Sequence, residues 1–582
     1  MRRTQVAHGR HARPTQGLGR IVNVLGNKNT LQGKASRAIG WSLGSTLLTR
    51  FGTFGINIML ARLLGPRSFG LYAVAFVALT AMQNFNELGV SLAIVRWKSE
   101  PDEIVPTIMT ISVVVSAVAY LACFISAQAY ASAMGAPEAA NVVRVLALAI
   151  LIDGLANTPS GLLQRQFQQG KMAIAAQAGG WSGTLVTIAM AWSGYGAMSL
   201  AVGQVAGALI VVCVLIAFAP QSLRFGFDRG RIGELLRFGL PLAGSNVVAF
   251  AVSSVDQLVV GHMLGATGLG FYTLALGIAS WPLTMFTWPV RRVVPAALSR
   301  LQHDTNSMRR AFLAIAALLC AVGLPACLAL GGSAGSLVGF LYGARWLPAA
   351  QPLIWLSLLA AVRILCEVAY DYLVVLARSR FLLLLQLAWL LALVPALIAG
   401  TRADGLSGAG LAEASVVMFV TLPCYLAGLR GTGIKLRDLS RRLWVPVAAG
   451  VLSGLAAAEE ARLASSDLVA LAASCATTMV IVALLGYRMR SVLRSLRRRS
   501  PAQAGCNTES AVAPMAATAY GRDIQTGREG LLVPRPRGGE VMPHRDYQEP
   551  SAPRPAWQDS SAASPLYWKT VASLRIDPAA AS

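Results

Sequence analysis

Ala61-Arg-Leu-Leu-Gly-Pro-Arg-Ser-Phe-Gly-Leu-Tyr-Ala-Val-Ala75 lies between two long apolar runs, and its reading decides the fold. Gly65 can take the left-handed conformation that closes a helix, and Pro66 cannot continue one. Ser68 can cap the helix that follows, and Tyr72 suits a membrane–water boundary. The stretch reads as the turn of a membrane hairpin. Two hundred residues on, Gly261-His-Met-Leu-Gly-Ala-Thr-Gly-Leu-Gly-Phe-Tyr-Thr-Leu-Ala275 repeats it without a gap. Leu64, Gly65, Gly70, Tyr72 and Ala75 recur as Leu264, Gly265, Gly270, Tyr272 and Ala275, and upstream Gly44-Ser45 recurs as Gly244-Ser245. The matches include the turn glycines. A duplicated membrane unit is expected, with Gly65, Pro66, Gly70, Gly265 and Gly270 as its architectural turns.

Composition sets the class. Of 582 residues, 55% are hydrophobic and 13% charged, with mean hydropathy +0.57; soluble domains carry about a quarter charged residues. Apolar runs of roughly 20 residues recur, the length that spans a bilayer. The chain is an all-α polytopic membrane protein. A net charge of +24 would suggest nucleic acid in a soluble protein, but residues 500–582 hold eight bases and eight acids. The excess therefore lies in the membrane part, on alternate loops, as the positive-inside rule requires. No nucleic-acid partner is expected. Seven of eight cysteines lie in apolar runs, and no CxxC or Cys/His spacing occurs. That pattern predicts packing cysteines, with no metal site, disulfide framework or cofactor.

Residues 1–37 are basic and lack the apolar core of a secretory signal, which makes them a cytoplasmic tail. About fourteen spans follow: six in an N-lobe, 38–219; six in a C-lobe, 237–430; and two more within 431–490. A basic cytoplasmic linker, 220–236, joins the lobes. Residues 491–582, rich in Pro, Ala, Ser and Arg, are expected to be a disordered cytoplasmic tail. With the N-terminus inside, the inner segments up to Arg499 carry 34 Lys and Arg and the outer loops carry 5. Both termini are thus placed in the cytoplasm. Trp97, Trp346 and Trp444, at span ends, fit an aromatic belt.

Ionisable groups inside spans are costly and default to functional hypotheses. Arg50 lies in the first span, Glu87 beside Asn84 in the second, Asp153 in the fourth, Asp256 in the seventh and Glu413 in the twelfth. In the tenth, Arg363, Glu367 and Asp371 stand at i, i+4 and i+8 and share one helical face. Arg363 and Glu367 can pair there. The stripe either locks helix packing or faces a lumen as a site for an anionic head group or a coupling cation. Arg144, Arg291 and Arg292, near span ends, read as snorkelling to head groups.

Several motifs together resemble a known family. They are Leu60-Ala-Arg-Leu-Leu-Gly-Pro-Arg-Ser-Phe-Gly-Leu-Tyr72, Leu162-Leu-Gln-Arg-Gln-Phe167, Phe238-Gly-Leu-Pro-Leu242 and Val255-Asp-Gln-Leu-Val-Val-Gly261. Pro289-Val-Arg-Arg-Val-Val-Pro295 and Leu341-Tyr-Gly-Ala-Arg-Trp-Leu-Pro-Ala-Ala350 complete the set. The chain resembles Wzx/WzxC-like polysaccharide flippases of the MOP (MATE/MviN) superfamily. The resemblance implies two six-helix lobes around a cationic lumen in the bacterial inner membrane. It implies alternating-access flipping of an undecaprenyl-pyrophosphate-linked glycan, with the polysaccharide polymerase and chain-length machinery as further partners. Related lipid II flippases carry a first-helix arginine where Arg50 stands, linked to the diphosphate. Arg50, Arg363, Glu87 and Asn84 become substrate-binding candidates, and Asp256, Glu367, Asp371 and Asp153 cation-coupling candidates. No catalytic residue is implied. Two rivals are a MATE-type multidrug antiporter and a membrane polysaccharide polymerase or ligase. The family motifs, the fourteen spans and the arginines disfavour the first. A polymerase or ligase relies on a large outer loop, and the outer loops here are short and nearly free of His and acids.

Overall fold

The computed structural model describes residues 31–86, 94, 104–226, 228–291, 294–299, 304–488 and 490. The side chains of 31–54 and most of those from 229 to 249 lie outside that description. So do Glu87, Trp97, Arg292, the side chain of Arg50, most of the basic tail and all of the C-terminal tail but for its immediate approach.

All regular structure among the described residues is helical. A first set comprises α1 (Leu31–Asn86), α2 (Val105–Ala133), α3 (Ala139–Arg165), α4 (Gln169–Trp192) and α5 (Ala197–Phe218). A second opens with α6 (Arg229–Ala279), a π-turn at Leu283–Thr287, and the short α7 (Trp288–Arg291) and α8 (Val294–Ser299). It continues with α9 (Thr305–Gly332), α10 (Ala334–Tyr342), α11 (Ala350–Val375), α12 (Ser379–Val416) and α13 (Leu422–Arg430). Last come α14 (Leu436–Leu463) and α15 (Asp467–Arg488). Among the described residues ten helices are long and apolar enough to cross a membrane. Helices α1, α6 and α12 are each broken into two limbs, at Gly65, Gly265 and Asp404–Gly405, so ten helices are not ten crossings.

The duplication runs deeper than the hairpins. Gly65 and Gly265 share positive φ with extended ψ (72°, 168° and 68°, −171°), a region essentially reserved for glycine. Further on, Gly135 pairs with Gly343, Phe167 with Ala377, and Gly196 with Gly405, each at positive φ in an equivalent helix-to-helix turn. Phe167 and Ala377 adopt it without being glycine, both at φ 55°. Of two large apolar cores, one lies within the first set, and the other fills the second and reaches across to Ala61, Ala73, Val74 and Met134 of the first. Leu79, Val143, Leu146 and Ile150 anchor one; Phe312, Leu356, Ile364 and Tyr372 anchor the other.

The principal contact between the sets is α1 against α6, and it is made by the repeated turns themselves. A Cβ on Gly70 would stand 1.8 Å from the Ala266 carbonyl oxygen, and one on Gly270 would stand 2.5 Å from that of Pro66. Residue 70 meets 266 and residue 270 meets 66, the reciprocal pattern of a two-fold interface within one chain. The turns are thus more than architectural.

Trp346 seals this junction. It is fully buried, edge-on to Phe69 and Phe271 at 5.7 and 5.9 Å, and its Nε1–H donates to the Ala61 carbonyl at 3.0 Å. The aromatic-belt expectation fails for Trp346 because its indole N–H finds a partner inside the protein. Trp444 is exposed on α14, as a belt residue should be. Arg62 donates to the Leu341 carbonyl at 2.7 Å and to that of Phe340. Arg67 pairs with Glu138 at 2.7 Å, and the His262 ring donates to the Ala133 carbonyl at 2.5 Å. Two loops thus clasp two hairpins, and this end of the molecule is closed. Gly70→Val should force the hairpins apart. In a cysteine-free background, Ala73→Cys, buried in the parent, should then react with a membrane-impermeant maleimide; equal protection in both backgrounds would show that the glycine contact does not close this end.

Candidate functional site

The tenth-span stripe lies on α11, which packs against α6, α9 and α12. The three charges part company along it. Asp371 and Glu367 are buried, whereas Arg363 is exposed. The partner of both acids is Arg291, on α7. Its Nε and Nη2 donate to the two Asp371 oxygens at 2.7 and 3.0 Å, and its Nη1 donates to Glu367 at 2.8 Å. A guanidinium fork matched to a carboxylate in this bidentate way is among the strongest charge-assisted contacts.

This overturns two expectations. Glu367 does not pair with Arg363, and Arg291 does not snorkel: it is 7% exposed. The reason is local. The chain cannot run as one helix through Pro282, Pro289 and Pro295, and it breaks into the π-turn and α7. That break turns Arg291 inward. The proline spacing was the available sequence signal.

A second buried cluster joins α6 to α12. The Tyr272 hydroxyl lies 2.6 Å from Glu413 and 3.3 Å from Asp256, and all three are buried. A phenol has one proton to donate. At these distances it serves Glu413, so the two carboxylates have one tyrosine proton between them. Arg363 makes no hydrogen bond or ion pair among the described residues but acts electrostatically on both acids. With all groups ionised, Arg291 and Arg363 face Asp256, Glu367, Asp371 and Glu413, a net charge of −2. Low-dielectric surroundings do not tolerate such an excess without a proton or a cation.

Tyr272, matched with Tyr72 as part of a turn, is a site residue that pattern reading missed. Tyr72 packs against Phe76 instead. Asp153 belongs to a separate patch, where Gln83 donates to it at 2.5 Å. Asn84 donates to the Thr80 carbonyl within α1. Arg144 donates to Asn141 and lies over the Phe124 ring.

A chain of two repeated helical sets meeting at their first hairpins defines a transporter-like membrane fold. A solved structure of the lipid II flippase MurJ, in an inward closed conformation, superposes on it with a TM-score of 0.64, covering 77% of this chain and all of the other at 13% identity. Residues 59–351, half of the chain, match the family described as polysaccharide biosynthesis protein, and the chain belongs to that family. ExoT, the succinoglycan biosynthesis transport protein of Rhizobium meliloti (strain 1021), is 26% identical over 342 residues, 58% of this chain and 68% of its own. WzxC, a lipopolysaccharide biosynthesis protein of Escherichia coli (strain K12), is 21% identical over 421 residues, 72% of this chain and 85% of its own.

The two arginines should separate in their effects. Arg291→Ala leaves two buried carboxylates uncompensated, a loss of about 3–5 kcal/mol, read as a lower thermal midpoint of the detergent-solubilised protein. Arg363→Ala breaks no ion pair and should lower that midpoint much less. Equal midpoints for both variants would remove the structural role of Arg291.

Proposed function

We propose that this chain flips a polyprenyl-diphosphate-linked oligosaccharide across the bacterial inner membrane for surface polysaccharide assembly. Membership of the polysaccharide biosynthesis family, the MurJ-like fold and the transport role named for ExoT support the reading. The observation that carries it is Arg363, exposed in the middle of a membrane helix beside buried acids. A guanidinium there cannot face lipid and must look into water.

The diphosphate cannot cross hydrocarbon unaided, because a buried charge costs several kcal/mol. Arg363, with Arg50 on the first helix, replaces its water by charge-assisted bonds, while the polyprenyl chain stays in lipid. The Asp256–Tyr272–Glu413 cluster competes for the same arginine. When a proton or cation occupies the cluster, the field of Arg363 is released toward the diphosphate. When the cluster is empty, the acids hold it. The two ligands therefore assist each other reciprocally. Asp153, with Gln83, is a second place for a proton in the first set.

The excess of Lys and Arg on alternate loops supports an orientation with both termini cytoplasmic and the clasped hairpins at the outer face. In that orientation the hairpin contact is the outer gate, and rocking of the two sets that parts it opens the lumen outward. A polymerase consuming the flipped glycan is the expected partner on the outer side.

The test uses proteoliposomes with a fluorescent polyprenyl-diphosphate oligosaccharide and measures translocation against pH and sodium. Arg363→Ala should reduce translocation at least tenfold. The double variant Asp256→Asn with Glu413→Gln should keep substrate binding and lose the dependence on cations. Wild-type translocation and cation dependence in both variants would discard the lumen mechanism.

A further inference from the structure

Helix α9 runs for 28 residues, about 42 Å at 1.5 Å per residue, and its far end lies beside the clasped hairpins. Its N-terminus is therefore at the opposite end of the bundle, where it meets the N-terminus of α14, with which it packs extensively. Between these ends is an open cavity of about 580 Å³ lined by Asp304, Arg309, Arg310, Asp438, Arg441 and Arg442 among others. Four arginines against two acids leave it with a charge of +2.

The acids are already occupied. Asp304 caps α9, accepting from the Asn306 and Ser307 backbone N–H groups at 3.0 Å, and hydrogen bonds from Ser307 hold its carboxyl below the usual carboxylate range. Asp438 takes a long contact of 3.5 Å from Arg309. Arg310 donates to Ser307. Arg441 and Arg442 make no hydrogen bond or ion pair among the described residues.

A second observation gives the ligand its shape. From Arg441 along α14 run Trp444, Val451, Leu452 and Leu455, which at about 100° per residue fall within an arc of roughly 100° on one side of the helix. All four are large, apolar and exposed. A basic cavity thus opens onto an apolar track that descends into the membrane.

We infer that this cavity is a site for the phosphate-bearing headgroup of an anionic phospholipid, whose acyl chain lies along the exposed face of α14. The headgroup bridges Arg309 and Arg310 on α9 to Arg441 and Arg442 on α14, and so staples the added helix pair to the second helical set. The orientation proposed above puts the site in the inner leaflet; its existence does not depend on that orientation or on the substrate.

The experiment reads lipid retention by native mass spectrometry on the full-length protein, purified from mixed micelles of phosphatidylglycerol and phosphatidylcholine. Arg441→Ala with Arg442→Ala should lower retained phosphatidylglycerol roughly tenfold or more, given two basic contacts at a membrane surface. Arg441→Lys with Arg442→Lys should keep most of it, which separates lost charge from lost folding. Arg437→Ala, a charge removed from the same helix end outside the cavity, should leave retention unchanged. Millimolar inorganic phosphate should not displace the lipid. Displacement by phosphate would assign the site to a soluble anion and overturn the lipid reading. An equal loss in Arg437→Ala, or undiminished retention in the alanine pair, would reduce the cavity to general surface charge.

Discussion

Two backbones can approach as closely as α1 and α6 do only where neither carries a side chain. At Gly70 and Gly270 any Cβ would collide with the carbonyl of the facing turn, and packed interiors do not absorb an overlap of that size. The rest of the arrangement follows from this contact. One apolar core stays within the first set, while the larger one spans the junction through Ala61, Ala73 and Met134. The aromatic cluster of Phe69, Phe271 and Trp346 widens that junction into a seal, and two loops reach across from either side to hold it.

The charges obey a different rule. The hairpins repeat between the sets, but among the described residues the buried ion pairs do not. Arg291, Glu367 and Asp371, and likewise Asp256, Tyr272 and Glu413, all belong to the second set. Among the described residues of the first set, Gln83 donates to the part-buried Asp153. Arg291 is immobilised by two carboxylates, whereas Arg363 has no such partner among the described residues. Arg291, held this way, is not available to a ligand, so the proposed substrate contact falls to Arg363.

The fold class was legible because a bilayer imposes a length and an apolar content that composition reveals at once. The duplication was legible only at its first hairpin. Gly65 and Gly265 lie 200 residues apart, but Gly135 and Gly343 lie 208 apart, Phe167 and Ala377 210, and Gly196 and Gly405 209. An ungapped comparison loses the register beyond the first turn, although the backbone keeps it. The acids of the candidate site were legible as positions, since intramembrane carboxylates stand out. Their partners were not, because helical spacing reports neighbours on one helix, whereas Arg291 and Tyr272 reach across from others. Trp346 was misread for the same reason: an indole near a span end looks the same whether it meets lipid or a carbonyl 285 residues away.

That last bond bears on biogenesis. The carbonyl of Ala61 is made long before the indole of Trp346. At ribosomal rates of ~5–20 residues per second, the intervening stretch takes on the order of tens of seconds to synthesise. Until residues 266–270 emerge the first hairpin sits in the membrane with its glycine face bare, and the Ala61 carbonyl waits longer still for Trp346. The first helical set must therefore hold its shape on its own core, and the mirrored glycine surface of Gly70 is open to an identical hairpin from a neighbouring nascent chain. A two-fold contact built from repeated turns can form between chains as well as within one, and the separate packing of Leu79, Val143 and Ile150 is what lets the early half wait for its own partner.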